Sequence, residues 1–372
     1  MTAVLRRLAA PPGRLVARVA VGARTRAWRP YSHLFVVGDS GAWSVDEDAD
    51  HVSAAARRLG YDVAPAAWAP LVGAQAVFHT SHFEALSPRW LATPNRTGLA
   101  YMHGRPGTPG MPEFDVAFDT LRRRSDRIAR VQVTHAEMEE LVLSAGLPDD
   151  RVFRIPLGID LESFPLVVAG VRLGARAALG VPESAFVVGS FQKDGVGWGE
   201  GLEPKLIKGP DVLVQVLERL RATVPELFVL LTGPARGYVR RELERIGVPY
   251  RHVLAGSRPE LARAYHALDL CLVASRQEGG PKAVLESMAA GVPLVCTRVG
   301  QAPELVQHEV SGALVDVEDV DALVAWAGRV REDGGLRQAW REPARATAEA
   351  HAHERLDPRW GELLEGFVER PD

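Results

Sequence analysis

The chain has 372 residues, 47% hydrophobic and 24% charged, with a net charge of −3. That length allows two domains of ordinary size, and that balance belongs to a soluble globular chain. It excludes a disordered polymer, a disulfide-stapled module (there are two Cys) and a dedicated nucleic-acid binder, whose domain would be basic. No stretch reaches the roughly 18–20 uncharged apolar residues of a membrane span.

The charge is unevenly spread. The first 38 residues hold seven Arg and no Asp or Glu, which leaves −10 on the rest. Two readings of residues 1–30 stand: a disordered leader, or a basic amphipathic segment lying on an anionic membrane surface. Arg14 and Arg18 interrupt any secretory h-region. Cys271 and Cys296 lie in apolar runs and read as buried free thiols, which fits a reducing cytoplasm.

In chain order, Leu34–Val37 reads as a first strand. Asp48–Leu59 follows as a helix, entered through Ser44 and Glu47 at capping-box spacing. Residues 76–78, 99–102 and 131–133 are further strands. Ala136–Ser144 is a helix stopped by Gly146 and Pro148, and residues 153–155 form one more strand. The second half repeats the rhythm with strands at 186–190, 228–232, 253–255, 270–274 and 294–296. Helices are expected at 210–222, 238–246, 259–268, 283–290 and 320–330, and a last one at 356–369. Strands alternating with helices give parallel sheets covered on both faces. The fold class is therefore α/β, with two doubly wound halves whose ligand sites lie beyond the carboxyl ends of the strands.

One segment carries the chemistry: Ser275-Arg276-Gln277-Glu278-Gly279-Gly280-Pro281-Lys282-Ala283-Val284-Leu285-Glu286. A buried strand ends at Ala274. The glycine pair lets the backbone approach a ligand closely. Pro281 suits the first turn of a helix, whose amides and dipole favour a phosphate. Glu278 and Glu286 are eight positions apart, about 12 Å along a helix and close to the span of a ribose-diphosphate.

This segment resembles the E-x7-E signature of the retaining nucleotide-sugar glycosyltransferases of family four (glycosyl transferases group 1). These have the GT-B architecture, two Rossmann-like domains with an interdomain cleft. The resemblance is clear over residues 150–320 and weak in the N-terminal half. It implies that Glu278 sits beside the transferred sugar and Glu286 holds the nucleotide ribose. Gly279, Gly280, Pro281 and Lys282 would contact the sugar or diphosphate. Lys208 matches the family's Lys-Gly position, and Lys193 stands where an Arg is usual, with Lys205 a competitor. The glycine-punctuated insert between them, residues 194–207, reads as a flap over the donor. His103, after a strand in the first half, matches a family His near the reacting centre, and Arg105 would meet acceptor or phosphate. Gly38 to Gly41 stands where a glycine-rich loop faces the diphosphate, so Gly41 joins the donor set. Gly256 ends a strand where the nucleobase would sit. Gln301 replaces the second Gly of a common pair.

The expected organisation is a basic leader at 1–30, an acceptor-side domain at 31–160, a nucleotide-sugar domain at 161–345 and a helical segment at 346–372 that returns to the first domain. The expected function is metal-independent sugar transfer, with retention, to a glycan or lipid-linked acceptor. The nucleotide sugar is a substrate and no cofactor is needed. Domain closure would exclude water. The expected setting is polysaccharide or cell-envelope synthesis in the cytoplasm, with peripheral attachment to the inner face of the membrane through the leader and Arg122, Arg123, Arg124, Arg127 and Arg130. Two other readings stand. Gly38-Asp39-Ser40 resembles the nucleophile block of SGNH hydrolases, with Ser40 attacking an ester and Asp48-x-x-His51 the single matching acid–histidine spacing. Alternatively, the chain is a sugar-nucleotide-binding scaffold without catalysis.

Overall fold

The computed structural model describes residues 28–38 and 43–371, with backbone alone for 43–46, together with Ala17, Ala20, Val21 and Thr25. Gly41, Ser40 and most of the basic leader lie outside the described residues. The chain folds as two compact units, one reaching to Pro156 and taking up His353–Asp372 again, the other Leu157–Ala352.

The first unit is a parallel sheet of β1 (Leu34–Val37), β2 (Val63–Ala64), β3 (Ala76–His79), β4 (Arg96–Ala100), β5 (Ile128–Val133) and β6 (Val152–Arg154), in the order β2-β1-β3-β4-β5-β6. Its helices of eight residues or more are α1 (Trp43–Arg58), α2 (Pro112–Arg123), α3 (Ala136–Ser144) and, from the chain end, a helix over Asp357–Leu364. That last helix packs on α1, where Arg58 grips Asp357 with two hydrogen bonds of 2.7 Å. Trp360 meets Phe78 edge-on at 5.6 Å, and Phe367 lies so close over Gly98 that a Cβ there would stand 2.9 Å from its ring. Arg130 donates to Leu363 O and Glu365 O, and Arg127 to Thr93 O. Two members of the basic stretch thus hold backbone.

The second unit is a parallel sheet of β7 (Phe186–Phe191), β8 (Leu227–Thr232), β9 (Tyr250–Val253), β10 (Leu270–Val273), β11 (Leu294–Thr297) and β12 (Ala313–Val315), ordered β12-β11-β10-β7-β8-β9. The order reverses between β7 and β10, the switch point at which doubly wound sheets bind ligands. Alternate residues serve opposite cores. Val187, Leu230, Cys271 and Val273 face one, and Val188, Val229, Leu270 and Leu272 the other. Both Cys are buried free thiols, and burial pushes Cys271 up to about 12. The covering helices are α4 (Ala169–Leu179), α5 (Pro210–Thr223), α6 (Gly237–Arg245), α7 (Arg258–His266), α8 (Lys282–Ala290), α9 (Val320–Glu332) and α10 (Gly334–Ala350); the chain-end helix is α11.

Several expectations are corrected. β9 begins at Tyr250, not 253, because an edge strand paired only with β8 needs no continuous apolar run. β4 spans Arg96–Ala100, not 99–102, since Arg96 and Thr97 already pair with β3. α11 stops at Leu364, five residues before the expected end at 369.

Candidate functional site

The loops after β7 and β10 meet at the switch point, held there by backbone. Ile207 O accepts from Arg276 N (2.8 Å) and Gln277 N (3.0 Å). Gly209 has φ +62°, and a Cβ there would lie 1.9 Å from Ala274 O. Only glycine tolerates both conditions. The consequence is the position of Lys208, whose Nζ stands 2.5 Å from Glu278 Oε2. Ser275 Oγ donates to the other carboxylate oxygen at 2.9 Å, and Gln192 Nε2 donates to Lys208 O at 2.8 Å. Both Glu278 and Glu286 are buried. Nearby, Arg276 clamps Asp211 through two bonds of 2.7 Å, which holds that carboxyl below the usual carboxylate range despite its partial burial.

Glu286 lies inside α8 and accepts from Tyr265 OH at 2.7 Å. Burial, with the Glu286 charge beside it, pushes the Tyr265 phenol well above its ordinary range, so it remains a donor. Sequence reasoning missed this tyrosine, because an aromatic on the apolar face of α7 reads as core.

Pro281 is the N-cap of α8 and Lys282 its first residue, one position before the expected start at 283. Val284 N donates to Pro281 O, so the first turn is already tight. Gly280 is forced by its neighbours: a Cβ would lie 2.7 Å from Gln301 Oε1 and 2.8 Å from Leu157 Cδ1. Gln301 accepts from Leu157 N (2.8 Å), donates to Leu157 O (3.4 Å), and gives its own N–H to Gly279 O (3.1 Å). The glutamine thus does a job that a glycine could not.

Lys193 Nζ stands 4.3 Å from the centre of the Trp198 ring. Partial burial and the charge of Lys208 lower its pKa. The insert does not stand free as a flap. Lys205 N donates to Asp194 O, Val196 N to Glu203 O, Gly237 N to Glu200 O and Tyr238 N to Gly201 O. At its root Arg236 Nε lies 3.0 Å from Asp194 Oδ1, both side chains fully buried. Gly256 gives its N–H to Glu260 Oε2 (2.7 Å) in the cap of α7, so this amide is committed within the protein.

In the first unit, His103 follows β4 and is half-buried, its ring edge-on to Phe114 at 5.6 Å and to His82 at 5.8 Å. Arg105 is exposed and paired with Glu137. His51 stacks on His353 at 3.5 Å. No helix among the described residues is long and apolar enough to cross a membrane.

Residues 200–333 match the family described as Glycosyl transferases group 1. Among curated proteins, the chain is 34% identical over 232 residues to the D-inositol 3-phosphate glycosyltransferase of Xylanimonas cellulosilytica, covering 59% of this chain and 52% of that one. It is 30% identical over 297 residues to that of Saccharomonospora viridis, covering 72% and 65%. The chain spans about half the length of the first of these relatives. Among solved structures it resembles Anabaena Alr3699/HepE in complex with UDP and glucose, with TM-score 0.71 at 16% identity over 90% of this chain and 99% of that chain. It also resembles a sucrose-phosphate synthase from Thermosynechococcus elongatus, with TM-score 0.69 at 17% identity over 90% and 98%.

Proposed function

We propose a function for a chain whose fold is that of the GT-B glycosyltransferases and whose residues 200–333 fall in the Glycosyl transferases group 1 family. It transfers a sugar from a nucleoside-diphosphate sugar to a glycan or lipid-linked acceptor. The observation that carries this reading is the meeting of Lys208 and Glu278 at the switch point of the second sheet, in the unit that also holds the buried Glu286. Likeness to a structure holding UDP-glucose supports the donor class.

The mechanism follows from charge. As the sugar–phosphate bond breaks, the leaving diphosphate gains negative charge. Lys208 and Lys193 are the cations at hand, and the first amides of α8 add a fixed partial positive charge. Burial first, and then the charge of Lys208, lower the Lys193 pKa; an arriving diphosphate would relieve the second of these, the repulsion between cations. Glu278 holds Lys208 before the donor arrives and then accepts from the hydroxyls of the transferred sugar. Glu286, oriented by Tyr265, accepts from ribose hydroxyls. Gly279, Gly280 and Lys282 complete the donor contacts. In the first unit the assignment follows the resemblance: His103 for the transfer step, Arg105 for the acceptor. Transfer proceeds with retention and without a divalent cation, the lysines supplying the positive charge. We place the enzyme at the cytoplasmic face of the membrane, on the basic leader and the acceptor class.

The test is incubation with a panel of nucleotide sugars and candidate acceptors, following nucleoside-diphosphate release and the anomeric configuration of the product by proton NMR. A product that keeps the donor's configuration, formed at an undiminished rate in chelator, supports the reading. Inversion removes the retaining assignment, and a requirement for a divalent cation removes metal independence.

A further inference from the structure

The 194–207 insert is tied at its root by a fully buried ion pair and by backbone hydrogen bonds to residues 237 and 238. Two of its glycines are required by close approach: a Cβ on Gly195 or Gly201 would lie 2.3 Å from Ala235 O. So anchored, the insert nevertheless presents a large indole to solvent, with Trp198 59% exposed. Val196, Leu202 and Leu206 are also exposed. A cluster of exposed apolar side chains on one anchored loop marks an interaction site more often than scattered ones do.

We propose that Trp198 is a stacking platform for a pyranose ring of the acceptor. The inference rests on the transferase reading and names a residue that this reading does not use. Two observations bear on the choice of a sugar. Lys193 caps the indole at 4.3 Å and is itself repelled by Lys208, which ties the platform to the cation pair proposed for the diphosphate. In sequence the segment that carries the indole is balanced in charge, Lys193, Lys205 and Lys208 against Asp194, Glu200 and Glu203, so it offers no net attraction for an anionic membrane or a nucleic acid. An apolar wall ringed by a few hydrogen-bonding groups of both kinds is the composition that a neutral polyhydroxylated ring needs. The electron-rich ring face receives its C–H bonds while the rim receives its hydroxyls.

The test uses the intact chain and the variants Trp198→Ala and Trp198→Phe. Binding of uridine and guanosine diphosphates is measured by calorimetry. Binding of methyl α-glucoside, methyl α-mannoside, N-acetylglucosamine and maltose, with nucleotide present, is followed by tryptophan fluorescence and saturation-transfer NMR. The proposal expects at least one saccharide to bind, about tenfold weaker in Trp198→Ala and partly restored in Trp198→Phe, with nucleotide affinity and thermal midpoint unchanged. Loss of nucleotide affinity in Trp198→Ala would assign the indole to the donor, directly or through Lys193, and overturn the proposal. Saccharide binding equal in all three proteins, or absent from the whole panel while a nucleotide binds, also overturns it. Saccharide binding that depends on Trp198, with no nucleotide bound by any form, keeps the platform and removes the transferase reading instead.

Discussion

Lys208 Nζ and Glu278 Oε2 stand 2.5 Å apart, an ion pair between loops seventy residues apart in sequence. Glu278 is the more buried partner, so the lysine neutralises a carboxylate that would otherwise lie largely out of water. The same lysine is the cation proposed for the diphosphate, so the resting protein holds it in place by the residue proposed to bind the sugar.

Lys208→Ala is therefore expected to lower turnover by about 10²–10³, the usual effect of losing one donor to a developing charge. Steady-state nucleotide release measures it. Lys208→Arg should recover part of the loss, since it keeps the charge. Near wild-type turnover in the alanine variant would take Lys208 out of the donor site.

Tyr265→Phe removes the 2.7 Å bond to Glu286 and leaves a buried carboxylate oxygen without this donor. Stability should fall by about 1–3 kcal/mol, and nucleotide affinity should fall with it because the proposed ribose ligand is no longer oriented. Urea unfolding and calorimetry report the two effects. If affinity is retained while stability drops, Tyr265 serves the core alone.

Gln301→Gly converts this site to the residue that the resemblance expects. Both bonds to Leu157 are then lost, along with the packing against Gly280. A loss of about 1–2 kcal/mol is expected by urea unfolding. An unchanged or raised midpoint would mean that the glutamine bonds contribute nothing.

His79 and His82 are buried in the first unit, and burial lowers both to about 3. Unfolded histidine titrates near 6.5, so below that pH the unfolded chain takes up protons that the folded chain refuses. Stability is complete above about pH 6.5 and falls as pH drops towards 3, by about 1.4 kcal/mol per pH unit for each histidine. His82→Phe should flatten the slope of unfolding free energy between pH 6 and 4. An unaltered slope would show that His82 is protonated in the fold.

The sheets were legible because parallel strands buried on both faces read as apolar runs, and β1 and β7 begin where those runs begin. The proposed donor loop could be picked out because Glu278, the glycine pair and Glu286 share one continuous segment. What sequence hid has physical causes. β9 is an edge strand with polar residues, and α10 is polar and carries Pro343 within it. Tyr265 meets Glu286 only through packing of α7 on α8, and no local pattern encodes that contact. Gln301 looked like a departure because its partner, Leu157, lies 144 residues away. The insert read as a flap because glycines suggest freedom, whereas Gly195 and Gly201 are there for close backbone contact.

The most direct measurement is calorimetric titration of the intact chain and of Glu286→Ala with a panel of nucleoside diphosphates. At least one is expected to bind the intact chain, and the variant to bind it about tenfold or more weakly, a loss of about 1.4 kcal/mol or more. Binding of none, or equal binding by both proteins, would contradict a donor site built on Glu286.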